Sequence, residues 1–339
     1  MKKKRNLFIL AFLFLLTTAL LPNGAYADTN VINYEKDGRV KPVENAELLS
    51  ENQLDSVLDA IGLEEENLDD MSKKEKVYMA SQGGKVVDEV EVEEKSYYVS
   101  LDGTKTEYTE ENEELITQKK IEDLKTYNEA TGESLEIENV YPSKVKQNSG
   151  ISLMAALPKD GIKTKIKGDL ELTQQVIYLG STSTQYKYSF VSNAHWNDTP
   201  LSTKTDILGS AWSEEAVAKA DTFSGFWDQG KEIADGKGGT TWTFDDKKLS
   251  MKSPKAYGQY VTVSLGGGDY QNINMSREVR VGKSKKGEPA YVQTTYFHTY
   301  TNISGLSASI GPVSVDIPSK WLQSGDEIYV EYSFTFGNT

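Results

Sequence analysis

From about residue 161 onward the chain alternates between apolar and polar positions. Ile328, Val330, Tyr332, Phe334 and Phe336 share one parity, while Tyr329, Glu331, Ser333 and Thr335 share the other. The same period of two runs through Tyr186, Tyr188 and Phe190, and through Val261, Val263 and Leu265. It recurs from Ile162 and Ile166 into Leu170, Leu172, Val176 and Tyr178. Side chains two apart lie on one face of a strand, so each run predicts a strand with one apolar side. Trp242 to Phe244, Ile273 to Val281 and Tyr291 to Tyr300 bring the count to about eight strands. Leu306, Ala308 and Ile310 lead into Gly311-Pro312, and Val313, Val315 and Ile317 follow on the opposite parity, as a bulge or bend produces. Strands wet on one side must cover the other. Residues 161–339 are therefore read as an antiparallel β-sandwich, with a closed barrel as the alternative. Ser213 to Ala220 is a helical candidate that reads equally well as a polar loop or strand.

The preceding stretch has a different pattern. Ser50-Glu51-Asn52-Gln53 forms a capping box, and Leu54, Leu58 and Ile61 follow at helical spacing up to Gly62. Met71 to Met79 is a second, weaker helix ended by Gly83-Gly84. Val86 to Leu101 has strand composition, and Asp102-Gly103 turns it back into Thr104 to Tyr108. Thr109 is placed to cap a longer helix with Leu115, Ile116, Ile121 and Leu124, closed by Gly132. Leu135 to Val140 reads as a last short strand. Together these predict a small acidic α+β module over residues 28–141, with a Pro-, Ser- and Gly-bearing linker over 142–160.

Residues 1–27 stand apart from both. Lys2, Lys3, Lys4 and Arg5 precede an uncharged run from Leu7 to Leu21, and Ala25-Tyr26-Ala27 supplies a small-x-small cleavage pattern. This is the layout of a secretory signal peptide cut before Asp28, which predicts a secreted, extracellular protein without a stable membrane anchor after cleavage. The absence of cysteine excludes a lipobox, disulfides and thiolate sites, and inclines the reading towards a Gram-positive source.

Charge sharpens the division. The mature chain carries 51 acidic and 33 basic residues. Residues 28–150 hold 31 acidic and 14 basic ones, net −17, whereas residues 151–339 hold 20 and 19, net −1. All five tryptophans lie in the second part. Such an anionic chain, with only four arginines, is unsuited to nucleic-acid phosphates or anionic lipid. The acidic part reads either as a solvated module or as a prosegment that keeps the sandwich inactive.

Chemical motifs are few. His195 lies in the loop-like Asn193-Ala194-His195-Trp196-Asn197-Asp198, and His298 lies on the aromatic side of Val292, Thr294, Tyr296 and Tyr300, where a core histidine is expected. No His-Glu-x-x-His, calcium loop or phosphate-cradling glycine loop is present, so neither metal nor cofactor is expected. Gly305-Leu306-Ser307-Ala308-Ser309 lacks the last glycine of a nucleophile elbow. No catalytic residue is assigned. Arg277 is the single charge among Ile273, Met275, Val279 and Val281, and calls for a carboxylate partner or an anchoring role towards the N-terminal module. Trp196, Trp212, Phe226 and Trp227, with His195 beside them, fall in the least regular stretch. They read either as a binding surface held in loops or as a plug in one end of the sandwich.

Leu54, Leu58, Ile61-Gly62, Met71, Lys76 and Gly83-Gly84-Lys85 resemble a leader region of uncharacterised secreted proteins of Gram-positive bacilli. Trp196-Asn197-Asp198, Pro200, Thr205 to Gly209 and Ala211-Trp212 resemble segments of their β-rich ends. The resemblance implies secretion and carries no activity or site residue. The leading functional expectation is an extracellular sandwich that binds a carbohydrate, wall polymer or protein. A membrane-active or antibacterial toxin with an acidic prosegment comes second, and a carboxylate-dependent hydrolase third.

Overall fold

The computed structural model describes residues 31–64, 68, 71–87, 91–109, 111–135, 162–167, 170–196, 204–234, 240–266, 270–300 and 324–338. Two antiparallel sheets face each other and do not close into a barrel. The predicted sandwich is therefore present, and the alternating runs around Tyr188, Val263 and Val330 fall in its strands.

The first sheet runs β1 (Lys85–Val86), β5 (Leu170–Ser181), β6 (Gln185–Trp196), β13 (Tyr270–Gly282), β9 (Ser224–Ala234) and β10 (Thr240–Lys248). Two further strands join it: β4 (Ile162–Lys167) pairs with β5, and β8 (Val217–Ala218) pairs with β13. The second sheet runs β11 (Lys252–Lys255), β12 (Gly258–Ser264), β7 (Thr205–Trp212), β14 (Pro289–Thr299), β15 (Gly325–Thr335), β2 (Glu91–Val99) and β3 (Lys105–Glu107). Twelve strands thus follow residue 161 among the described residues, more than the alternation alone separates. The Ser213 to Ala220 stretch contains a turn and β8, and no helix.

The sheets meet where the apolar parities point. Leu172, Val176, Phe190, Ile273 and Val279 from one sheet pack with Leu208, Val261, Val292, Val330 and Phe334 from the other. Arg277 shares their parity and stays buried. The opposite side of the first sheet is covered by α1 (Glu51–Ile61) and α2 (Lys73–Gln82), which bury Leu54, Leu58, Ile61 and Met79 with Ile177 and Val191. The capping box at Ser50 forms as the sequence predicts, and Gly62 ends α1 at φ 106°. That left-handed turn favours a residue without Cβ. Gly84 has a second reason to be glycine, since a Cβ there would sit 2.6 Å from Cγ2 of Ile177 on β5.

α3 (Glu113–Thr131) ends at Gly132 as predicted, but begins from Asn112 rather than Thr109. It lies beside the second sheet and buries Ile116 and Leu124 against Tyr98 and Tyr300. The acidic region therefore enters both sheets: β1 extends the first, and β2 forms a nine-residue ladder with β15. The predicted strand at Leu135 to Val140 lies largely outside the described residues, as do the linker, the Gly311-Pro312 phase change and the Ser307 string. Among the described residues no helix is long and apolar enough to cross a membrane.

Candidate functional site

The tryptophans expected in loops belong to strands. Trp196 closes β6, Trp212 closes β7 and Trp227 lies within β9, all three buried in the core between the sheets. Each indole N–H donates inward: Trp196 to the Tyr296 hydroxyl at 3.0 Å, Trp212 to the Ala216 carbonyl at 2.7 Å, and Trp227 to Oε1 of Gln271 at 2.9 Å. A buried indole that satisfies its donor fills space and offers no face to a ligand. His195 and Phe226 lie on the opposite strand parity from their tryptophan neighbours. His195 is buried with its ring 4.9 Å from that of Tyr270, and Phe226 is half-buried. The cluster read as either one surface or a plug is thus divided: the tryptophans fill the core, and His195 and Phe226 lie on the opposite face. The irregular sequence misled because short polar residues interrupt strands that pairing nonetheless completes.

Arg277 also differs from expectation. Its guanidinium donates to the Lys219 carbonyl at 3.2 Å and to the Met251 sulfur at 2.7 Å, with no carboxylate in direct contact among the described residues. Burial lowers its pKa, and the charge of Asp221 opposes that shift. It ties down the segment after β8 and leaves the N-terminal helices alone.

Polar chemistry gathers instead at one end of the sandwich, where the inward-facing row of β14 runs from Tyr296 to His298, with Tyr300 next beyond the strand. Asp206, on the inward parity of β7, is fully buried. Its Oδ2 accepts from the Tyr296 hydroxyl at 2.6 Å and lies 2.7 Å from Nδ1 of His298, while its Oδ1 accepts the Thr299 N–H at 3.0 Å. The His298 ring lies between that of Trp196, tilted against it at 4.8 Å, and that of Tyr300, which it meets edge-on at 5.1 Å. Burial raises the Tyr296 phenol well above its ordinary range, and Asp206 adds to this. The phenol is thereby held as a donor across ordinary pH. His298 is the locally bonded core histidine that its position suggests.

Beyond Tyr300 the row meets α3. Asp326, at the start of β15, accepts short hydrogen bonds from the hydroxyls of Tyr108 and Tyr300. The Lys120 ammonium sits 3.6 Å from Oδ1 of Asp326 and over three rings, with centroids at 5.3 Å for Tyr300, 5.4 Å for Tyr98 and 5.5 Å for Tyr108. The Tyr98 hydroxyl donates to Asp123 of α3 at 2.7 Å. The phenols are thus turned towards carboxylates, and their ring faces are left for the cation.

A second polar cluster lies beneath α2. Glu75 is buried against the first sheet and accepts from Nδ2 of Asn274 at 2.5 Å and of Asn272 at 3.4 Å. Burial pushes its pKa up to about 8, and the nearby charge of Asp228 adds to the rise. Asp228 is itself raised to about 6 by burial, with Asp246 contributing. Both carboxyl groups are buried.

Sequence reasoning missed Asp206, Asp326, Lys120, Tyr108 and Glu75. A signal was available for some of them. Lys120 falls four residues from Ile116 and from Leu124, on the stripe that a helix buries. Asp206 and Asp326 share the parity of Leu208 and Ile328.

No known protein family matches the chain, and no curated protein matches it. Among solved structures, a Clostridium perfringens NetB toxin in its membrane-inserted form overlaps 52% of this chain and 95% of its own, at 7% identity and a TM-score of 0.25. A collagen-binding domain from a Staphylococcus aureus adhesin overlaps 44% of this chain and 97% of its own, at 7% identity and a TM-score of 0.23. Overlaps this slight assign neither ligand nor activity.

Proposed function

We propose that this chain is an exported binding protein that meets its partner at the α3-covered end of the sandwich, without performing chemistry on it. The observation that supports this reading is the convergence of Tyr98, Tyr108, Tyr300 and Asp326 on a single ammonium. Aromatic faces backed by a carboxylate form a recognition geometry, and here they come from separate strands and turns rather than from one local motif. The tryptophans are committed to the core, and at this end Tyr108 and Lys120 are the members of the cluster that remain part-exposed.

The test is retention of the purified mature protein on Gram-positive wall fragments, phosphatidylcholine vesicles and immobilised glycans. Tyr108→Leu is expected to lose at least tenfold in binding to whichever support retains the wild type. Equal retention of wild type and variant on every support overturns the reading.

A membrane-active role is a second reading, and it rests on one topological fact. β14 and β15 pair to their ends, with Thr299 opposite Gly325, so the intervening stretch leaves and returns at one point. Its sequence alternates around Gly311-Pro312, apolar at Leu306, Ala308 and Ile310 before it and at Val313, Val315 and Ile317 after it, the period of a strand with one apolar side. The stretch itself lies outside the described residues. Dye release from vesicles by the wild type, abolished in Ile310→Asp, is the expected outcome, and dye retention with the wild type removes this reading.

A further inference from the structure

We infer that α1 and α2 form a proton-held cover on the first sheet, in which the leading end of α2 lifts as Glu75 and Asp228 ionise. The inference concerns a different layer from α3 and does not rest on the proposed binding surface.

The cover has a core of its own. Leu54, Leu58, Ile61 and Met79 are buried together, and among the described residues their cluster takes only Ile177 and Val191 as buried members from the sheet beyond β1. A unit that carries most of its apolar partners with it keeps them when it moves, which is how parts of a fold open separately.

The trailing end of α2 is firmly fixed. Gly83 and Gly84 lead it into β1, Gly84 exchanges backbone hydrogen bonds with Val40, and β1 pairs with β5. Arg39 adds a bond from Nη1 to the Leu179 carbonyl at 2.8 Å. That end is the pivot.

The leading end rests on polar ground. Ser72 caps α2, and Glu75 in its first turn lies over Asn272 and Asn274 of β13. Asp228 of β9 stands between Asn272 on one neighbouring strand and Asp246 of β10 on the other. Glu75 and Asp228 are only 1% and 2% exposed. Three carboxyl groups therefore share one patch, and two buried like charges cannot both ionise without a large cost. Both nearby ammonium groups are engaged by other carboxylates: Lys74 lies 2.6 Å from Asp246, and Lys76 lies 2.7 Å from Asp55 of α1. Asn193 and His195 of β6 lie alongside, His195 opposite Asn272 with its ring against Tyr270. Tyr78, farther along α2, stands near Glu278 of β13, which pairs with Lys219 and Arg280.

Burial, with the Asp228 charge, pushes Glu75 up to about 8. Burial, with Asp246, pushes Asp228 up to about 6. The carboxamides and Lys76 offset part of the first rise, and Ser72 and Lys74 part of the second. Lifting returns both groups to water, where they ionise in the ordinary carboxylate range. The seated form thus holds protons that the lifted form releases. Lifting is suppressed in acid, and it grows as pH rises through about 6 and on to about 8.

Amide exchange of the mature protein from pH 4.5 to 8.5, corrected for the intrinsic pH dependence of exchange, tests this. Protection across residues 73–79 is expected to fall roughly a hundredfold over that span. It is also expected to respond little to dilute urea, because a local opening exposes little surface. Glu75→Gln should lose most of the fall, and Asp228→Asn part of it, with circular dichroism as the check of fold. Exchange at 73–79 that tracks β14 and β15 in both pH and urea is global unfolding, and overturns the cover. So does a fall of equal size in the wild type and both variants, or no fall in the wild type. Should Glu75→Gln fail to fold, the wild-type profile and Asp228→Asn decide by the same outcomes.

Discussion

At the scale of single residues, the buried carboxyl of Glu75 ties stability to pH. Its pKa rises from 4.5 to about 8 in the folded chain, so folding holds a proton that the unfolded chain releases above about pH 4.5. The folded state therefore loses stability as pH climbs from that value to about 8, and the loss is complete above it. Glu75→Gln keeps an acceptor for Asn274 and removes the titration. The variant is expected to match the wild type near pH 4.5 and to exceed it by a few kcal/mol at pH 8.5, read from denaturant melts at both values. Parallel pH profiles of the two proteins would contradict the assignment. The tryptophans make a separate prediction. Trp212 is fully buried and its N–H donates to Ala216, so Trp212→Phe should cost on the order of 1–3 kcal/mol without altering retention on any support. Retention that falls while stability holds would return Trp212 to the binding surface.

At the scale of elements, the ladder between β2 and β15 joins the acidic region to the sandwich. Glu93 stands directly opposite Glu331, and like charges so placed destabilise a strand pair. Burial raises the pKa of Glu331, and Glu93 raises it further. This seam too is firmest when protonated and weakens as pH rises above the ordinary carboxylate range. Glu93→Thr is expected to raise the melting temperature by a few degrees at pH 8 and to leave it unchanged at pH 4, because the pair repels only when ionised. The elements also show where alternation is a sound guide. β5, β6, β14 and β15 follow the parity of their apolar residues, since each has one face in the core. The helix predicted around Ile116 and Leu124 is present as α3, whose apolar stripe is weak: Ile116 and Leu124 are buried, while Leu115 and Ile121 face outward.

At the scale of the whole molecule, the division by charge is not a division of the fold. β1 supplies an edge of the first sheet, β2 and β3 supply an edge of the second, and α1 and α2 cover a face. Cutting an engineered protease site within residues 142–160 is therefore expected to leave both fragments eluting together from a sizing column at neutral pH. Independent elution would mean that the ladder and the helix contacts do not hold the parts. A prosegment, in the reading the sequence raised, would on this account stay bound after cleavage, and its departure would uncover the unpaired edge of β15.

The period-two pattern determined the sandwich because a half-buried strand has to alternate, whatever its partners. The capping box at Ser50 and the glycines closing α1 and α3 were likewise settled locally, since caps and left-handed turns depend on a few adjacent residues. What the tertiary structure alone decided was which side chains meet. Asp206, His298 and Tyr296, or Lys120, Tyr98, Tyr300 and Asp326, lie far apart along the chain, and strand order and register bring them together. Spacing along one strand carries no information about the strand beside it, so the aromatic residues that looked available were in the core and the cluster around Lys120 was visible only in the fold.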